Sequence, residues 1–311
     1  MNAHGELGLA TWSAPSMGGT LKVAIQADPE QLDAAAQEAR RAAQRVETWA
    51  ARLTRFSGES DLSRLNQTRA PQVSVRPTLA ATLRWAAEAE QRTEGVVRPT
   101  LLDERLAAEQ LDADANVDAD RERKWSITPS GRSSVVARSQ DARFDLDGLA
   151  KGWIADRAAD LLARWPSAVV DADGDISINA GPNAEWLVGV ADPRDDEATL
   201  ATLRVRGGSS WSARFGVATS GTSVHRWTRK SGRPAHHLID PRTGRPAETD
   251  VIQATVVAPT AREAEVIAKS AVILGSDEAL PFLERSAALA AILLLESGQV
   301  ACLPGIEAWL A

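Results

Sequence analysis

The order of its helical and strand-like segments is the feature of this sequence that most restricts its fold. The strand-like segment TLKVAIQ is followed by helical patterns over residues 30–56 and 78–93, and most other strand-like segments come later. Apolar residues recur at helical spacing in the first of these patterns: Leu32, Ala39, Val46, Ala50 and Leu53. A doubly wound sheet needs strands and helices in regular alternation. The observed order therefore favours the α+β class, with mixed or antiparallel sheets and packed helices.

Shorter segments complete this interpretation. LLDERLAAEQ predicts a third helix, ADANVDADRER a polar loop, and KWSITPSGRSSVVARS two strands around a turn. DGLAKGWIADRAADLLARW predicts a helix that ends near Trp165. Further strands are predicted in SAVVDADGDISINAG, EWLVGVADP, TLRVRG, WSARFGVATS, AAILLLES and QVACLPG.

The helix with the clearest ends is predicted in PTAREAEVIAKSAVILG. Thr260 can cap its first turn and Glu263 can reach back to it, which is a capping box. Gly275 can end it.

Composition and charge are typical of a globular protein that does not bind nucleic acid. Hydrophobic residues make up 44% of the 311 residues, and 35 basic against 42 acidic residues give a net charge of −7. The single cysteine excludes an intramolecular disulfide. We find no signal-peptide pattern and no apolar run long enough for a bilayer, which predicts a cytoplasmic protein. The length predicts one domain over residues 1–311, with sub-lobes near 1–120 and 121–311 as an alternative division.

The stretch DLDGLAKGW places Gly148 and Gly152 around Lys151 at the start of a predicted helix. Glycine weakens a helix interior by roughly 1 kcal/mol relative to alanine. A helix N-terminus with a lysine and with glycines that allow close approach suits a phosphate group. The alternative is a surface lysine at a poorly formed helix start.

Two later segments carry polar groups that suit a binding site. VATSGTSVHRW predicts a hydroxyl-rich loop after a strand, which can wrap phosphate or ribose oxygens or be an ordinary turn. In HHLIDPRTGRP, His237 and Asp240 lie on either side of the apolar pair Leu238–Ile239, which comes before a turn. A histidine there can accept a proton near neutral pH, or the pair can simply stabilise the turn. The histidines of this region, His225 included, lack further ligands at zinc spacing.

Read in order, these segments resemble the ApbE family, the FAD:protein FMN transferases. SMGGTLKVAI approximates the Met-Gly-Thr strand of the family, and LTRFSGESDLSRLNQ its Ser…Leu-Asn pattern. GVVRPT stands where the family has Gly-x-Phe-Asp-Pro-Thr, DLDGLAKG where it has Asp-Leu-Gly-Gly-Ile-Ala-Lys-Gly, and DGD where it has Gly-Gly-Asp. Thr-Ser-Gly at 219–221 and His-x-x-Asp-Pro-x-Thr-Gly-x-Pro at 237–246 are intact.

The resemblance implies an enzyme that transfers FMN from FAD to a serine or threonine of a target protein and releases AMP. It implies that His237 deprotonates the acceptor hydroxyl and that magnesium lies against the Gly148 carbonyl and Glu265. The residues that it implies for FAD binding are Met17, Phe56, Val96, Val97, Arg98, Asp145, Lys151, Ser220, Gly221 and Ile239.

The sequence departs from the family at the magnesium position. The family has an aspartate and, four residues later, a threonine; this chain has Glu265 and Lys269 there, on one helix face. A lysine ammonium cannot ligate magnesium. We therefore hypothesise that Lys269, steadied by Glu265, takes the place of the ion, with Arg98 or Arg226 as sources of further positive charge. The alternative is a solvated surface pair, with the metal held by other oxygens, so a need for Mg²⁺ stays open.

This departure keeps two other functions open. One is a protein that binds FAD without transferring FMN. The other is a hydrolase that splits FAD into FMN and AMP.

Overall fold

The structure is a computed structural model that describes residues 7–109, 123–131, 133–223, 226–228 and 234–311. The predicted loop ADANVDADRER, apart from Arg123, and His225 lie outside the described residues. The helices of the described residues are α1 (Leu32–Leu53), α2 (Asp61–Gln67), α3 (Pro77–Arg92), α4 (Leu102–Glu109), α5 (Lys151–Leu161), α6 (Ala261–Leu274) and α7 (Ser276–Arg285).

The strands fall into one large sheet and several small ones. The strands of the large sheet are, in spatial order, β1 (Gly8–Ser16), β2 (Gly19–Ala27), β6 (Ser167–Ala172), β7 (Ile176–Ala180), β10 (Ala213–Gly221), β15 (Val251–Ala258), β16 (Ala290–Leu295) and β17 (Val300–Cys302). The small sheets contain β3 (Gln72–Val75), β4 (Trp125–Ser130) and β5 (Ser133–Arg138); β8 (Glu185–Asp192) and β9 (Asp195–Arg206); β11 (Arg226–Thr228) and β12 (Pro234–His236); and β13 (Ile239–Asp240) and β14 (Arg245–Pro246).

Helices cover one face of the large sheet and a β-hairpin covers the other. Neighbouring strands of this sheet pair antiparallel. Helices α1, α5 and α6 pack on one face, and hairpin β8–β9 shares a second apolar cluster with the opposite face. The predicted α+β class is confirmed. The prediction of one domain stays a prediction, and no helix of the described residues has the length and apolarity needed to cross a membrane.

Helix α6 has the ends that the sequence predicts. The Thr260 hydroxyl accepts from the backbone N–H of Glu263 at 3.3 Å and donates to the Glu263 carboxylate at 2.7 Å. The helix ends at Gly275, which has a φ of 75°. The predicted helix over 147–165 is shorter at both ends, Lys151–Leu161, because residues 147–149 form a turn before it and residues 162–164 form a turn after it.

The sequence interpretation missed strand β1 and helix α2. Strand β1 pairs with β2 along its whole length, and the two residues Met17 and Gly18 connect them. Both have positive φ, 51° and 91°, as a tight hairpin turn requires. Helix α2 is short and is capped by the Ser60 hydroxyl, which accepts from the Ser63 N–H at 2.9 Å.

Helices α5 and α6 cap each other where they cross. The Asp156 carboxylate on α5 accepts from the N–H groups of Ala261 and Arg262, each at 3.1 Å, at the start of α6. The Glu265 carboxylate on α6 accepts from the N–H of Gly152, at the start of α5, at 3.0 Å. Each acid thus satisfies a terminal amide of the other helix and lies near its positive dipole end.

Gly152 makes this crossing possible. A Cβ at this position would lie 2.6 Å from the carbonyl oxygen of Ala261, which is backbone and cannot rotate away. We therefore expect Gly152→Ala to destabilise the fold by about 1–3 kcal/mol, although alanine is the better helix former.

Chemical denaturation of this variant, with Gly189→Ala as control, measures the effect. A Cβ at Gly189 in strand β8 would meet nothing within 4 Å. A Gly152→Ala protein as stable as the wild type would contradict the packing described for the crossing.

Candidate functional site

The turn over residues 144–150 is held from both sides. The side chain of Asn66 on α2 donates to the Phe144 carbonyl at 2.8 Å and accepts from the Phe144 N–H at 2.7 Å. The N–H of Asp145 donates to the carbonyl of Pro99 at 2.7 Å. These bonds tie the DLDG stretch to α2 and to the GVVRPT stretch before α4.

Lys269 of α6 packs directly on this turn. Its ammonium donates to the backbone carbonyl of Asp147 at 2.7 Å. A Cβ at Gly148 would lie 2.4 Å from Cδ of Lys269 and 2.8 Å from its Nζ. Gly148 is therefore needed for the lysine, and its φ of 75° also favours glycine.

The two glycines of DLDGLAKGW are thus explained by contacts within the protein. The close approach that the sequence analysis assigned to a ligand is made by Lys269 at Gly148 and by the α6 backbone at Gly152. The Gly152 amide is also bonded to Glu265. The prediction of free amides for a phosphate at this helix start is wrong at Gly152.

Glu265 and Lys269 face the same side of α6, but they do not form a pair. Glu265 is 4% exposed, so the alternative of a solvated surface pair is wrong. Among the described residues, the carboxylates within 4 Å of a lysine do not include Glu265. Since Glu265 is directed at Gly152, the prediction that it steadies Lys269 is also wrong.

Lys151 is surrounded by acidic side chains. Its ammonium lies 3.2 Å from the carboxylate of Asp175 and 3.7 Å from that of Asp173, in the turn between β6 and β7. Asp175 raises the pKa of Lys151 well above its usual range, so the lysine is charged and neutralised locally. Burial, with Asp175 adding to it, raises the pKa of Glu265 well above its usual range too.

Asp173, which replaces a glycine of the family pattern, contacts the neighbouring hairpin. It has a φ of 62°, and its carboxylate accepts from the Thr20 N–H at 3.3 Å. The turn itself is capped by Asp171, which accepts from the Gly174 N–H at 2.8 Å.

The carboxylate of Asp147 is the acidic group around which the positive side chains of the site gather. One partner is Arg105, whose Nη1 lies 3.1 Å from Oδ2. Burial alone would raise the pKa of Asp147, but Lys269, His237, Arg105 and Lys151 together hold it well below its usual range. The neighbouring Asp145 behaves in the opposite way, because burial and the charge of Asp147 raise its pKa.

Arg105 links three parts of the site, and the sequence analysis missed it. Besides Asp147, the guanidinium donates to the backbone carbonyl of His237 at 2.7 Å and to Glu109 at 2.7 Å. Glu109 also binds Arg55, which lies 4.0 Å from the carboxylate of Asp145. The available signal was the i, i+4 spacing of Arg105 and Glu109 on a short helix, which is typical of an exposed pair.

Asp147 was missed for a different reason. The family motif has a glycine at this position, so the acidic residue could be seen as a departure, but the sequence did not show what it contacts. Only the structure brings Arg105 to it.

His237 is brought to the same site by the turn that follows it. Strands β13 and β14 pair, and the Ala247 N–H donates to the Leu238 carbonyl at 2.9 Å. Asp240 accepts from the N–H of Arg242 at 2.8 Å, which stabilises the turn. His237 is half-buried and close enough to stabilise the Asp147 carboxylate electrostatically.

Thr219, Ser220 and Gly221 lie in a strand, so the predicted loop is wrong over these three residues. Strand β10 continues to Gly221 and pairs with β15. The strand runs beside α6 from Gly216, where a Cβ would meet the Thr260 backbone at 2.1 Å. Measured from this contact, Ser220 lies about 13 Å along the strand and Lys269 lies about 12 Å along the helix. The two residues are therefore at a similar distance from it.

The other predicted FAD residues differ widely in exposure. Phe56 is 83% exposed with the Arg55 guanidinium over its ring, and Met17 and Val96 are half-buried against the core. The side chains of Val97 and Ile239 are buried in this structure, at 1% and 4% exposure.

Of the two arginines suggested as sources of further positive charge, Arg98 is held by groups outside the site. Arg98 donates to the carbonyl of Gly95 at 2.9 Å and lies 4.0 Å from Glu90. Arg226 lies on β11 opposite His236.

A cleft of about 710 Å³ borders the site. It shares Arg55 and Asn66 with the contacts described above, and Arg69 and Arg143 add positive charge to its wall. Lys151, Lys269 and His237 do not line it. The cleft is thus a neighbouring cavity with a basic wall.

The residues at Lys269 do not fit a magnesium ion. Magnesium prefers a shell of oxygen ligands. Within the described ranges, no three His, Cys, Asp or Glu side chains come together as a metal site. An ammonium already holds the Asp147 carbonyl, and it would repel a cation by about 4 kcal/mol per unit charge at 4 Å and an effective dielectric constant near 20. Glu265, the other predicted ligand, is turned to an amide.

Comparison with known proteins identifies the family. The model of the ApbE family matches residues 17–293. The chain belongs to the ApbE family.

Relatives named FAD:protein FMN transferase, from Salmonella typhimurium and Treponema pallidum, are each 30% identical to it, over 191 and 177 residues. These matches cover 60% and 53% of this chain and 50% and 47% of the relatives, so the chain spans about half the length of the curated relatives it matches.

Solved structures of the family share the fold. The ApbE protein of Thermotoga maritima superposes with a TM-score of 0.78 at 19% identity, covering 98% of this chain and 100% of the other. The flavin transferase ApbE from Vibrio cholerae gives a TM-score of 0.72 at 18% identity, with the same coverage.

The acidic group beside Lys151 makes the stability of this ApbE-family chain depend on pH. Burial raises the pKa of Asp175 from its ordinary 3.8 to about 6, although Lys151 acts against this. The folded protein therefore binds this proton more tightly than the unfolded chain does. The resulting stabilisation is complete below pH 3.8 and is lost as the pH rises through 6.

We expect Asp175→Asn to remove this dependence. The free energy of unfolding of the wild type, relative to the variant, should fall by roughly 1–3 kcal/mol between pH 4 and pH 7. Denaturant titrations at several pH values measure it, with Asp173→Asn, a 40% exposed carboxylate of the same turn, as control. A difference between wild type and Asp175→Asn that stays constant over this range would contradict the assignment.

Proposed function

We propose that this chain transfers FMN from FAD to a serine or threonine hydroxyl of a protein acceptor and releases AMP. The observation that carries the proposal is the match of the ApbE family model to residues 17–293. The names of the relatives and the positive groups around the DLDG turn support it.

The transfer is a phosphoryl-group displacement. The acceptor hydroxyl oxygen forms a bond to the phosphorus on the FMN side of FAD. The bond between that phosphorus and the bridging oxygen breaks, and AMP leaves with the bridging oxygen. The hydroxyl proton passes to a base and then to water. Such a reaction depends mainly on positioning and on neutralisation of the phosphate charge.

The residues of the site can be assigned to these requirements. His237 is the candidate base, because its imidazole lies at the same turn as the positive groups. Arg105 fixes its backbone through the 2.7 Å bond to the His237 carbonyl. Lys269 is the candidate cation for the diphosphate, and Asn66 and Asp145 position the turn that it contacts.

Four properties of the protein stay predictions. They are the FAD contacts of the individual residues, the absence of nucleic-acid binding, the cytoplasmic location and the single domain.

Incubation with FAD and a threonine-containing peptide tests the function. A peptide that gains the mass of FMN, with release of AMP, is the expected result. Free FMN and AMP with an unmodified peptide would indicate hydrolysis, and intact FAD that stays with the protein would indicate binding alone; either result would contradict the proposal.

The base is tested by His237→Gln. General-base catalysis contributes about 10²–10⁴-fold, so FMN transfer should fall by that factor while FAD affinity is retained. His236→Gln is the matched control, because the neighbouring imidazole contacts the Ala247 carbonyl at 3.0 Å. A His237→Gln enzyme that transfers FMN at the wild-type rate would exclude His237 as the base.

A further inference from the structure

We propose that Lys269 provides the cation against which the diphosphate of FAD binds, so that this site binds its substrate without a divalent metal ion. The inference rests on the proposed function and goes further, since it assigns the charge that neutralises the substrate to one side chain of this chain.

The ammonium of Lys269 has more N–H donors than it has acceptors among the described residues. A lysine ammonium carries three N–H donors. Among the described residues, the only hydrogen-bond acceptor recorded for Nζ is the Asp147 carbonyl, at 2.7 Å. The residue is half-buried, not enclosed in the core. The remaining donors suit the oxygens of a phosphate group.

The position of this ammonium is fixed by its surroundings. Its Cδ and Nζ lie against Gly148, so close that a Cβ added to this residue would collide with them. Its helix is held to α5 by the two acids that cap the crossing, Asp156 and Glu265. The charge is therefore pre-positioned and need not be assembled by the ligand.

The second lysine of the site is already neutralised. Lys151 lies within 4 Å of two carboxylates, those of Asp173 and Asp175. Within the described residues, no carboxylate lies that close to Lys269, and the Asp147 carboxylate is bonded to Arg105 instead. Lys269 acts on the Asp147 carboxylate only electrostatically, so of the two lysines it is the one without a carboxylate in direct contact among the described residues.

A lysine in this role has consequences that a metal ion would not have. A covalently attached charge cannot be removed by a chelator. Added magnesium would be repelled from this position by the ammonium. Substrate binding should therefore be insensitive to both agents and should depend on the side chain at 269.

The test measures FAD affinity by titration of flavin fluorescence, on the full chain, in buffer with EDTA and in buffer with magnesium. The variants are Lys269→Gln and, as a matched control, Arg157→Gln. Arg157 is an exposed cation on α5 that pairs with Asp160 at 2.9 Å, so its variant has the same change of net charge away from the site.

The wild type should bind FAD with the same affinity in both buffers. Lys269→Gln should weaken binding by about 10- to 100-fold, the usual effect of losing a hydrogen bond to a charged group, and Arg157→Gln should not change it. Circular dichroism confirms that each variant is folded. If Lys269→Gln does not fold, the comparison of wild-type affinity in the two buffers tests the inference by itself.

Two results would overturn the inference. One is wild-type affinity that rises at least tenfold on addition of magnesium, and the other is wild-type affinity in a folded Lys269→Gln. Both leave the proposed function intact, because FAD still binds. If FAD binds in neither buffer, the proposed function fails together with the inference.

Discussion

The crossing of α5 and α6 is the contact on which the site depends. Each helix supplies an acid that accepts the terminal amides of the other, and Gly152 lets the two backbones approach. This crossing places Lys269 one helical turn beyond Glu265, against the turn over residues 144–150. A change at the crossing therefore displaces the cation from the turn, even though none of the crossing residues needs to touch the substrate.

Electrostatics divides the site into two parts with different properties. Lys151 and the acids Asp173, Asp175 and Glu265 form a group in which the single positive charge is neutralised, so it serves the structure of the hairpins and helix starts. Lys269, His237 and Arg105 all act on the Asp147 carboxylate, so positive groups converge on this side of the site. The lysine in the most recognisable motif is thus in the neutralised group, and Lys269 is among the positive groups around Asp147.

Much of the fold could be predicted because local signals decided it. The Thr260 cap and Gly275 fixed α6 to within a residue, and turn residues marked the hairpins. Strand β1 was missed because its sequence, GLATWSAPS, alternates only weakly and gains its structure from pairing with β2. The roles of Gly148 and Gly152 could not be predicted, since their neighbours Lys269 and Ala261 are over 100 positions away in the sequence. The same holds for Arg105 and Asp147, which only the folded chain brings together.

The central claim is that the Lys269 ammonium, and not a metal ion, meets the diphosphate. A crystal structure of the FAD complex, grown with magnesium present, tests it most directly. We predict a phosphate oxygen within about 3.2 Å of Nζ of Lys269 and no metal density between the turn and α6. A magnesium ion bridging Glu265 and the diphosphate, with Lys269 turned away from the Asp147 carbonyl, would contradict the claim.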